Sequence, residues 1–242
     1  MELKEALSYN IVDTEKGGTT VIVVAAGNAT RMGGINKQLL EIGGMPVIAR
    51  TLLFFEQSEQ IKNIVLVVRK SDIYRMQLLA EEYNLSKLSD IVEGGDNRQE
   101  SVKNGLAVLP MGEKCVLIHD GARPLVDEAT LSRVLEGLKT YKAVTCGVWV
   151  KDTIKRVKEN GEIAQTLNRS ELFAVQTPQG VWVEEYKAAL EKAENIGAFT
   201  DDVSIMEAAG HVALGVEGSY KNIKITTKED IALAQSYLEE SL

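Results

Sequence analysis

Two cations follow the first strongly apolar segment of the chain, and their positions suggest that they bind phosphate. Residues 21–24 are all β-branched, which is typical of a buried strand, and they lead into the small residues 25–27. Arg31 and Lys37 come shortly afterwards. A turn of small residues lets backbone N–H groups face an anion, while arginine grips phosphate oxygens in pairs and lysine adds a compact charge. The pattern therefore predicts a triphosphate site.

Two familiar glycine-rich loops do not fit this segment. A P-loop places Gly-Lys-Ser/Thr at the start of a helix, whereas Lys37 stands between Asn36 and Gln38. The dinucleotide fingerprint G-x-G-x-x-G also fails, because its later glycines are missing after Gly27. The plain alternative is an ordinary turn that carries two solvated cations. The preceding strand and the pairing of an arginine with a lysine favour the phosphate site.

The composition indicates a globular protein that does not bind nucleic acid. At 242 residues, with 45% hydrophobic and 26% charged residues, the chain can bury one large α/β core or two small ones. A net charge of −8 argues against a nucleic-acid-binding surface, which is usually basic. An acidic protein that handles polyphosphates has to concentrate its cations locally, and residues 31–37 do so.

The rare residue types point away from redox, zinc and membrane chemistry. Cys115 and Cys146 each lie in an apolar run, which favours inert buried thiols over a disulfide. With two histidines in the chain, the usual zinc site is not expected. The first twenty residues lack the apolar core of a signal peptide, and no apolar run has the length of a membrane span. We therefore expect a cytoplasmic protein without a membrane partner.

Strand and helix patterns alternate along most of the chain, which predicts a mostly parallel sheet with helices on both faces. The predicted strands are 21–24, 63–68, 90–92, 114–118, 143–150, 211–216 and 222–226. The predicted helices are 46–57, one that Ser71 or Asp72 caps, 98–109, 128–139, 183–195, 201–209 and 228–237. Ligands of such sheets bind beyond the carboxyl ends of the strands. Three loops, at Gly27, 94–96 and 119–121, are expected to converge there.

The alternation breaks at Lys151, where two polar strands are predicted around a turn. Residues 151–157 and 162–166 form this hairpin, which has little apolar surface of its own. Because an isolated hairpin is marginal in water, we expect it to pack on a second subunit, with packing on its own sheet as the alternative. Residues 1–19 are interpreted as an N-terminal extension of unknown role, and residues 20–242 as a single domain with an arm at about 150–170.

Several separated motifs occur in a fixed order and identify a family. They are Ala25-Ala-Gly with Arg31-Met32 and Lys37-Gln38, Gly94-Gly-Asp96, His119-Asp-Gly-Ala-Arg-Pro124, Asp152-Thr-Ile-Lys-Arg156, Leu167-Asn-Arg-Ser170, Gln176-Thr-Pro-Gln179 and Asn222-Ile-Lys-Ile-Thr226. Over about residues 20–240 this set closely resembles the 2-C-methyl-D-erythritol 4-phosphate cytidylyltransferases of the nucleotidyltransferase superfamily. The resemblance implies a Rossmann-like sheet, an activity that joins CTP to a polyol phosphate with release of pyrophosphate, a divalent cation such as Mg²⁺, and a homodimer formed through a protruding β-hairpin arm.

The resemblance also assigns roles to individual residues. Arg31 and Lys37 would contact the CTP phosphates and stabilise charge at the α-phosphorus as catalytic residues, and Lys224 would reach the reacting phosphate. The cytidine would be held by Ala25, Ala26, Gly27, Gly95, Asp96 and Ser101. Asp120 would hold the metal and face the second substrate. The methylerythritol phosphate would be bound by Arg123, Thr153, Arg169, Thr177 and Lys224. Judged alone, Arg169 is equally typical of a solvated face and Thr177 of a turn. Lys224 is equally typical of an edge strand, and Asp120 of a turn cap.

The residue types suit this chemistry. A phosphate oxygen is already anionic at neutral pH, so no general base is required, and His119 is expected to fill space beside Asp120. The barrier lies in bringing two anions together, which cations, a metal and positioning address. Two other functions are considered: ribitol-5-phosphate cytidylyltransferase and a nucleotide-binding protein without catalysis. Segments 152–157 and 166–170 favour the methylerythritol enzyme, and the presence of Lys37, Asp120 and Lys224 argues against a non-catalytic protein.

Overall fold

A seven-stranded sheet forms the centre of the molecule in the computed structural model, which describes residues 18–27 and 37–240. The strands are β1 (Thr19–Val24), β2 (Glu41–Ile42), β3 (Met45–Pro46), β4 (Ile61–Val68), β5 (Leu88–Glu93), β6 (Cys115–Asp120), β7 (Ala143–Trp149), β8 (Lys155–Val157), β9 (Ile163–Thr166), β10 (Phe173–Trp182) and β11 (Ala213–Glu217). The helices are α1 (Val47–Gln57), α2 (Ile73–Glu82), α3 (Arg98–Leu106), α4 (Glu128–Leu138), α5 (Val183–Lys192), α6 (Asp202–Ala208) and α7 (Lys228–Glu239).

The strand order in the main sheet is β11-β7-β10-β6-β1-β4-β5. All neighbouring strands are parallel except β10, which pairs antiparallel with both β6 and β7. This arrangement confirms the predicted α/β class with a mostly parallel sheet. It also brings the carboxyl ends of β1, β4, β5 and β6 to one edge of the sheet, where ligands of such folds bind.

Helices cover both faces of the sheet, as predicted. Side chains of successive residues point to opposite faces of a strand, so Val21 and Val23 lie in one apolar cluster and Ile22 in the other. The first cluster contains apolar residues of α1, α2 and α4, and the second contains those of α3, α5 and α6. A third, smaller cluster joins α7 to Ala122, just after β6. Helix α7 is thereby fixed next to the edge where β6 ends.

The structure differs from the sequence-based expectations at several elements. Strand β10 is not predicted by the sequence, because Gln176, Thr177 and Pro178 are typical of a turn. The predicted strand 222–226 belongs to neither a strand nor a helix. Helix α3 ends at Leu106, before the predicted Leu109. Asp72 is the N-cap residue of α2, as predicted, but its side chain pairs with Arg69 and makes no capping hydrogen bond.

Strands β8 and β9 form a separate two-stranded sheet whose residues are all exposed. The alternative in which this hairpin lies on its own sheet is therefore wrong. Residues 1–17, which contain nearly all of the predicted N-terminal extension, lie outside the described residues, and β1 already begins at Thr19. Within residues 18–27 and 37–240, no helix combines the length and apolar character that crossing a membrane requires.

Candidate functional site

A cavity of about 450 Å³ opens where β1, β4, β5 and β6 end. Its lining includes residues at the end of each strand or just beyond it, among them Gly27, Arg69, Gly95 and Asp120. The three loops expected at this edge thus converge, as predicted. We refer to this space as the smaller cavity.

The loop after β5 approaches its neighbours so closely that it needs glycine. A Cβ atom on Gly94 would lie 2.3 Å from the Ala26 Cβ, and one on Gly95 would lie 2.3 Å from the Glu100 Cβ. The Gly95 N–H donates to the Ser101 hydroxyl at 3.1 Å. These contacts hold the loop against both β1 and α3, and they keep its backbone exposed to the cavity.

Most of the residues expected to hold cytidine lie around the smaller cavity. Its lining includes Ala26, Gly27, Gly95, Asp96 and Ser101. Ala25, in contrast, is buried, and its Cβ would be 3.1 Å from a Cβ placed on Gly121. Ala25 therefore supports the loop after β6 from beneath.

Of the two cations that carry the phosphate hypothesis, Arg31 lies outside the described residues. Lys37 begins a short 3-10 turn, Lys37–Leu39, whose second residue, Gln38, is buried and lines the smaller cavity. The segment that carries Lys37 therefore borders this cavity.

A second cavity, of about 790 Å³, adjoins the first on the side of β7, β10 and β11. It is lined by two further residues expected to bind the polyol phosphate, Arg123 and Thr177. We refer to it as the larger cavity. Arg98, Asp120 and Lys224 line both cavities and form a shared wall between them.

Asp120 is the anion at the centre of this wall. Its carboxylate lies 2.8 Å from the Lys224 Nζ, 3.5 Å from the Arg98 Nε and 3.5 Å from the Arg123 Nε. Burial by itself would raise the pKa of Asp120, but the attraction of Lys224, Arg98 and Arg123 outweighs it and holds the pKa well below its ordinary value. Asp120 is therefore ionised at neutral pH and surrounded by positive charge.

A hydrogen-bond network fixes the backbone beside this carboxylate. The Asp120 N–H donates to the Thr177 hydroxyl at 3.0 Å, and that hydroxyl lies 3.1 Å from the His119 Nδ1. The His119 Nε2 lies 3.1 Å from the Arg123 carbonyl, which can only accept a hydrogen bond. The network assigns the proton of a neutral imidazole to Nε2. Burial lowers the pKa of His119 to about 4, so His119 fills space without titrating near neutral pH, as predicted.

Lys224 reaches the wall because its segment is tied to the loop after β6 and to strand β10. The Ile225 N–H donates to the Ala122 carbonyl at 2.8 Å. The Asn222 side-chain amide donates to the Thr177 carbonyl at 2.8 Å, and the Asn222 carbonyl accepts from Arg123 at 2.8 Å. These side-chain and backbone hydrogen bonds hold the segment in place. Its backbone is irregular, and it is not the strand that the sequence predicted.

Two residues expected to bind substrate lie elsewhere. Thr153 and Arg169 are exposed. Among the described residues that line the two cavities, neither of them is found. The Arg169 Nη1 donates to the Lys151 carbonyl at 2.7 Å, which places this side chain at the base of the β8–β9 hairpin. This chain by itself therefore does not bring Arg169 to Asp120.

The remaining member of the wall, Arg98, is not indicated by the sequence motifs. Arg98 is the first residue of α3, where an arginine is unremarkable by itself, although it lies only two residues after the Gly94-Gly-Asp96 motif. Burial would lower the pKa of Arg98, but the charges of Asp202 and Asp120 outweigh it and raise this pKa. Only the position of Asp202, far along the chain, reveals this pairing.

The donor set at the wall suits Mg²⁺ that is bound together with phosphates. Among the described residues, no group of three or more His, Cys, Asp or Glu side chains could hold a metal ion. Mg²⁺ is commonly bound by one or two carboxylates and substrate phosphates instead of an all-protein cage. The ionised Asp120 carboxylate, which borders both cavities, fits such a site.

Comparisons with known proteins agree with this geometry. The family model described as IspD, 2-C-methyl-D-erythritol 4-phosphate cytidylyltransferase, matches residues 19–240. The chain is 46% identical over 224 residues to the enzyme of that name from Clostridium novyi (strain NT), covering 90% of this chain and 95% of the relative. It is 45% identical over 223 residues to the one from Halalkalibacterium halodurans, covering 91% and 97%.

Solved structures that resemble this chain carry the same or a synonymous enzyme name. The crystal structure of 4-diphosphocytidyl-2C-methyl-D-erythritol synthase from Anaerococcus prevotii DSM 20548 matches with a TM-score of 0.82 at 32% identity, covering 96% of this chain and 100% of that one. The crystal structure of 2-C-methyl-D-erythritol 4-phosphate cytidylyltransferase from Thermus thermophilus matches with a TM-score of 0.74 at 27% identity, covering 92% and 99%. The chain therefore belongs to the IspD family of 2-C-methyl-D-erythritol 4-phosphate cytidylyltransferases.

Proposed function

We propose that this protein transfers a cytidylyl group from CTP to 2-C-methyl-D-erythritol 4-phosphate. The products are 4-diphosphocytidyl-2-C-methyl-D-erythritol and pyrophosphate, and the reaction belongs to non-mevalonate isoprenoid precursor biosynthesis. Family membership supports this function. The observation that carries it is the pair of cavities that meet at Asp120 and Lys224, because a transfer reaction needs two substrates on either side of one reacting group.

The smaller cavity is the proposed site of CTP. The backbone at Gly27 and Gly95 would contact the cytidine, and the Asp96 carboxylate is suited to accept hydrogen bonds from ribose hydroxyls. Arg31 and Lys37 would hold the triphosphate, since both follow the strand that ends at this cavity. The α-phosphorus would then lie near the shared wall.

The larger cavity is the proposed site of the polyol phosphate. Arg123 and Lys224 supply positive charge there, and Thr177, whose hydroxyl is engaged by His119 and the Asp120 N–H, fixes the lining beside them. The phosphate oxygen of the acceptor attacks the α-phosphorus of CTP, a new P–O bond forms, and the bond to the bridging oxygen of pyrophosphate breaks. Because the nucleophile is already an anion, the main work of the site is to align two anions and offset their repulsion.

Lys224 is the residue best placed to follow the charge during this step. Its ammonium lies 2.8 Å from Asp120 in the wall that both cavities share. When substrates bind, the ammonium can turn from Asp120 to a phosphate oxygen, which frees the carboxylate. Mg²⁺, when held by Asp120 and phosphate oxygens, would supply further charge neutralisation.

We further propose a homodimer in which the β8–β9 hairpin reaches the neighbouring active site. Every residue of the hairpin strands is exposed in the single chain, and Arg169 and Thr153 lie away from the chain's own cavities. Exposed apolar side chains, Trp149 and Val175, flank the base of the hairpin. A second subunit packed there would bury these side chains and receive Arg169 at its own site.

The decisive experiment compares acceptors. The purified protein is incubated with CTP, Mg²⁺ and either 2-C-methyl-D-erythritol 4-phosphate or ribitol 5-phosphate, and pyrophosphate release is followed. The proposal expects turnover with the first acceptor; turnover with ribitol 5-phosphate alone would favour the alternative, which the comparisons do not favour. The absence of pyrophosphate release with both acceptors would contradict the assignment as a cytidylyltransferase.

The cytoplasmic location expected from the sequence stays part of the proposal, and cell fractionation checks it.

A further inference from the structure

A completely buried carboxylate lies behind the shared wall. Asp202, the first residue of α6, is 0% exposed. Its two oxygens accept hydrogen bonds from the Tyr186 hydroxyl at 2.7 Å and from the Arg98 Nη2 at 2.6 Å. Its own N–H donates to the Gln179 Oε1 at 2.9 Å. Asp202 is therefore held from three sides, and each of its carboxylate oxygens has a partner.

The guanidinium of Arg98 extends this arrangement into the wall. Its Nη2 is bound to Asp202, while its Nε lies 3.5 Å from the Asp120 carboxylate. Its third nitrogen, Nη1, is buried and has no hydrogen-bond partner among the described residues. Arg98 thus connects α6 to the residue at the centre of the site, and one of its donors is not yet used.

A buried ion pair of this kind is weak evidence for a purely stabilising role. Replacing a buried ion pair by apolar residues is often neutral or stabilising, since the desolvation of two charges is costly. The chain of contacts from Tyr186 through Asp202 and Arg98 ends at Asp120, which borders both cavities. A planar guanidinium fixed on one side presents its remaining donors in a defined direction.

We infer that Asp202 is a positioning residue for cytidylyl transfer, which holds the Arg98 guanidinium in the shared wall and thereby sets how closely Arg98 pairs with Asp120. This inference rests on the proposed function. With Asp202 in place, Arg98 stays 3.5 Å from Asp120, and the shorter contact belongs to Lys224. Without that charge, Arg98 can turn fully to Asp120 and compete with Lys224 and with a cation.

Removing the charge of Asp202 is expected to lower the rate of turnover without a matching change in substrate affinity. The Asp202→Asn substitution keeps the size of the side chain but removes its charge. Because Asp202 lies behind Arg98 and does not line the smaller cavity, kcat is expected to fall while the KM for CTP changes little. We expect a loss of roughly tenfold or more, as is typical of the coupling between neighbouring residues.

A double-mutant cycle tests the route of this effect. The wild-type protein, Asp202→Asn, Arg98→Ala and the double variant are compared in kcat and KM with CTP and 2-C-methyl-D-erythritol 4-phosphate. If Asp202 acts through Arg98, adding Asp202→Asn to Arg98→Ala changes kcat less than about twofold. Met206→Ala, on the same helix and also buried, is the control, because it removes core volume without removing any of these hydrogen bonds.

The outcomes are distinct. Wild-type kcat in Asp202→Asn would overturn the inference, and so would losses that multiply in the double variant. A wild-type protein that forms no product would overturn the proposed function and this inference with it. If Asp202→Asn does not fold, Tyr186→Phe takes its place in the cycle, since it removes one hydrogen bond to Asp202. Tyr186→Phe should lower kcat less strongly than Asp202→Asn, and only in a protein that keeps Arg98. The inference would be contradicted if Tyr186→Phe left kcat unchanged, or if it lowered kcat equally with and without Arg98.

Discussion

The Lys224 ammonium lies 2.8 Å from an Asp120 carboxylate oxygen, and this ion pair stands in the wall between the two cavities. Asp120 ends the central strand β6, whereas Lys224 belongs to an irregular segment near the end of the chain. The pair therefore depends on the folding of nearly the whole domain. It provides an anion that can hold a cation and a cation that can follow a phosphate, side by side.

Lys37 is expected to act mainly on the transition state. Replacing Lys37 by Ala should lower kcat by about 10²–10³ with little change in the KM for CTP, because charge that develops during transfer loses a preorganised partner. Steady-state kinetics with CTP as the varied substrate measure both constants. Lys139→Ala, at the end of α4, serves as the control. A variant that raised only the KM would show that Lys37 binds the ground state and transition state equally.

Asp120 is expected to determine the Mg²⁺ requirement. Asp120→Asn keeps the shape of the side chain but removes the charge that would hold the cation. Titration of Mg²⁺ against activity should show a higher half-saturating concentration and lower maximal turnover. Asp127→Asn, at the cap of α4, should match the wild-type protein. The metal role of Asp120 would be excluded by an unchanged Mg²⁺ dependence.

His119 is expected to destabilise the fold as the pH falls. The pKa of about 4 in the folded protein lies below the ordinary 6.5, so the unfolded chain binds a proton first. Stability from this group is fully present above about pH 6.5 and is lost as the pH falls towards 4, by on the order of 3 kcal/mol.

Urea unfolding, measured between pH 7 and pH 4 at intervals of roughly half a pH unit, tests this linkage. The free energy of unfolding of His119→Gln should fall less steeply with decreasing pH than that of the wild-type protein. His211→Gln, which changes the second histidine of the chain, should keep the wild-type slope. Equal slopes in all three proteins would mean that His119 is not the group responsible.

Arg169 is expected to serve the partner subunit. An Arg169→Ala chain and a Lys37→Ala chain, each nearly inactive alone, are mixed and allowed to exchange. Each heterodimer would then hold one site with both defects and one with neither. Random pairing puts about half of the dimers in this form, so activity should return to about a quarter of the wild-type value. Heterodimers confirmed by mass but inactive would place Arg169 at its own chain's site, or at none.

The sequence predicts the parallel part of the sheet well, because its strands are continuous apolar runs with helices between them. It fails at β10, where Gln176, Thr177 and Pro178 resemble a turn although they lie in a central antiparallel strand. The polar side chains there are satisfied by long-range partners, such as Asn222 and the Asp120 N–H, which local patterns do not reveal.

In the candidate site, too, local sequence patterns indicate the residues at strand ends but not those that depend on long-range partners. Gly95 and Asp120 could be predicted because they lie at the ends of strands or just beyond them, where the loops meet at one edge of the sheet. Thr177 and Lys224 are indicated only by the family resemblance. Local sequence does not indicate Arg98 and Asp202, since each is ordinary at a helix start and becomes informative only through the 2.6 Å contact between them.

The most direct test of the account is product formation by the wild-type protein, Lys224→Ala and Lys221→Ala with CTP, Mg²⁺ and 2-C-methyl-D-erythritol 4-phosphate. Lys221 is the matched control, because it pairs with Glu240 on α7's C-terminal side and not with Asp120. We expect wild-type turnover in Lys221→Ala and a loss of about a hundredfold or more in Lys224→Ala. Equal product formation by all three proteins would contradict the assignment of transfer to the wall of Asp120 and Lys224.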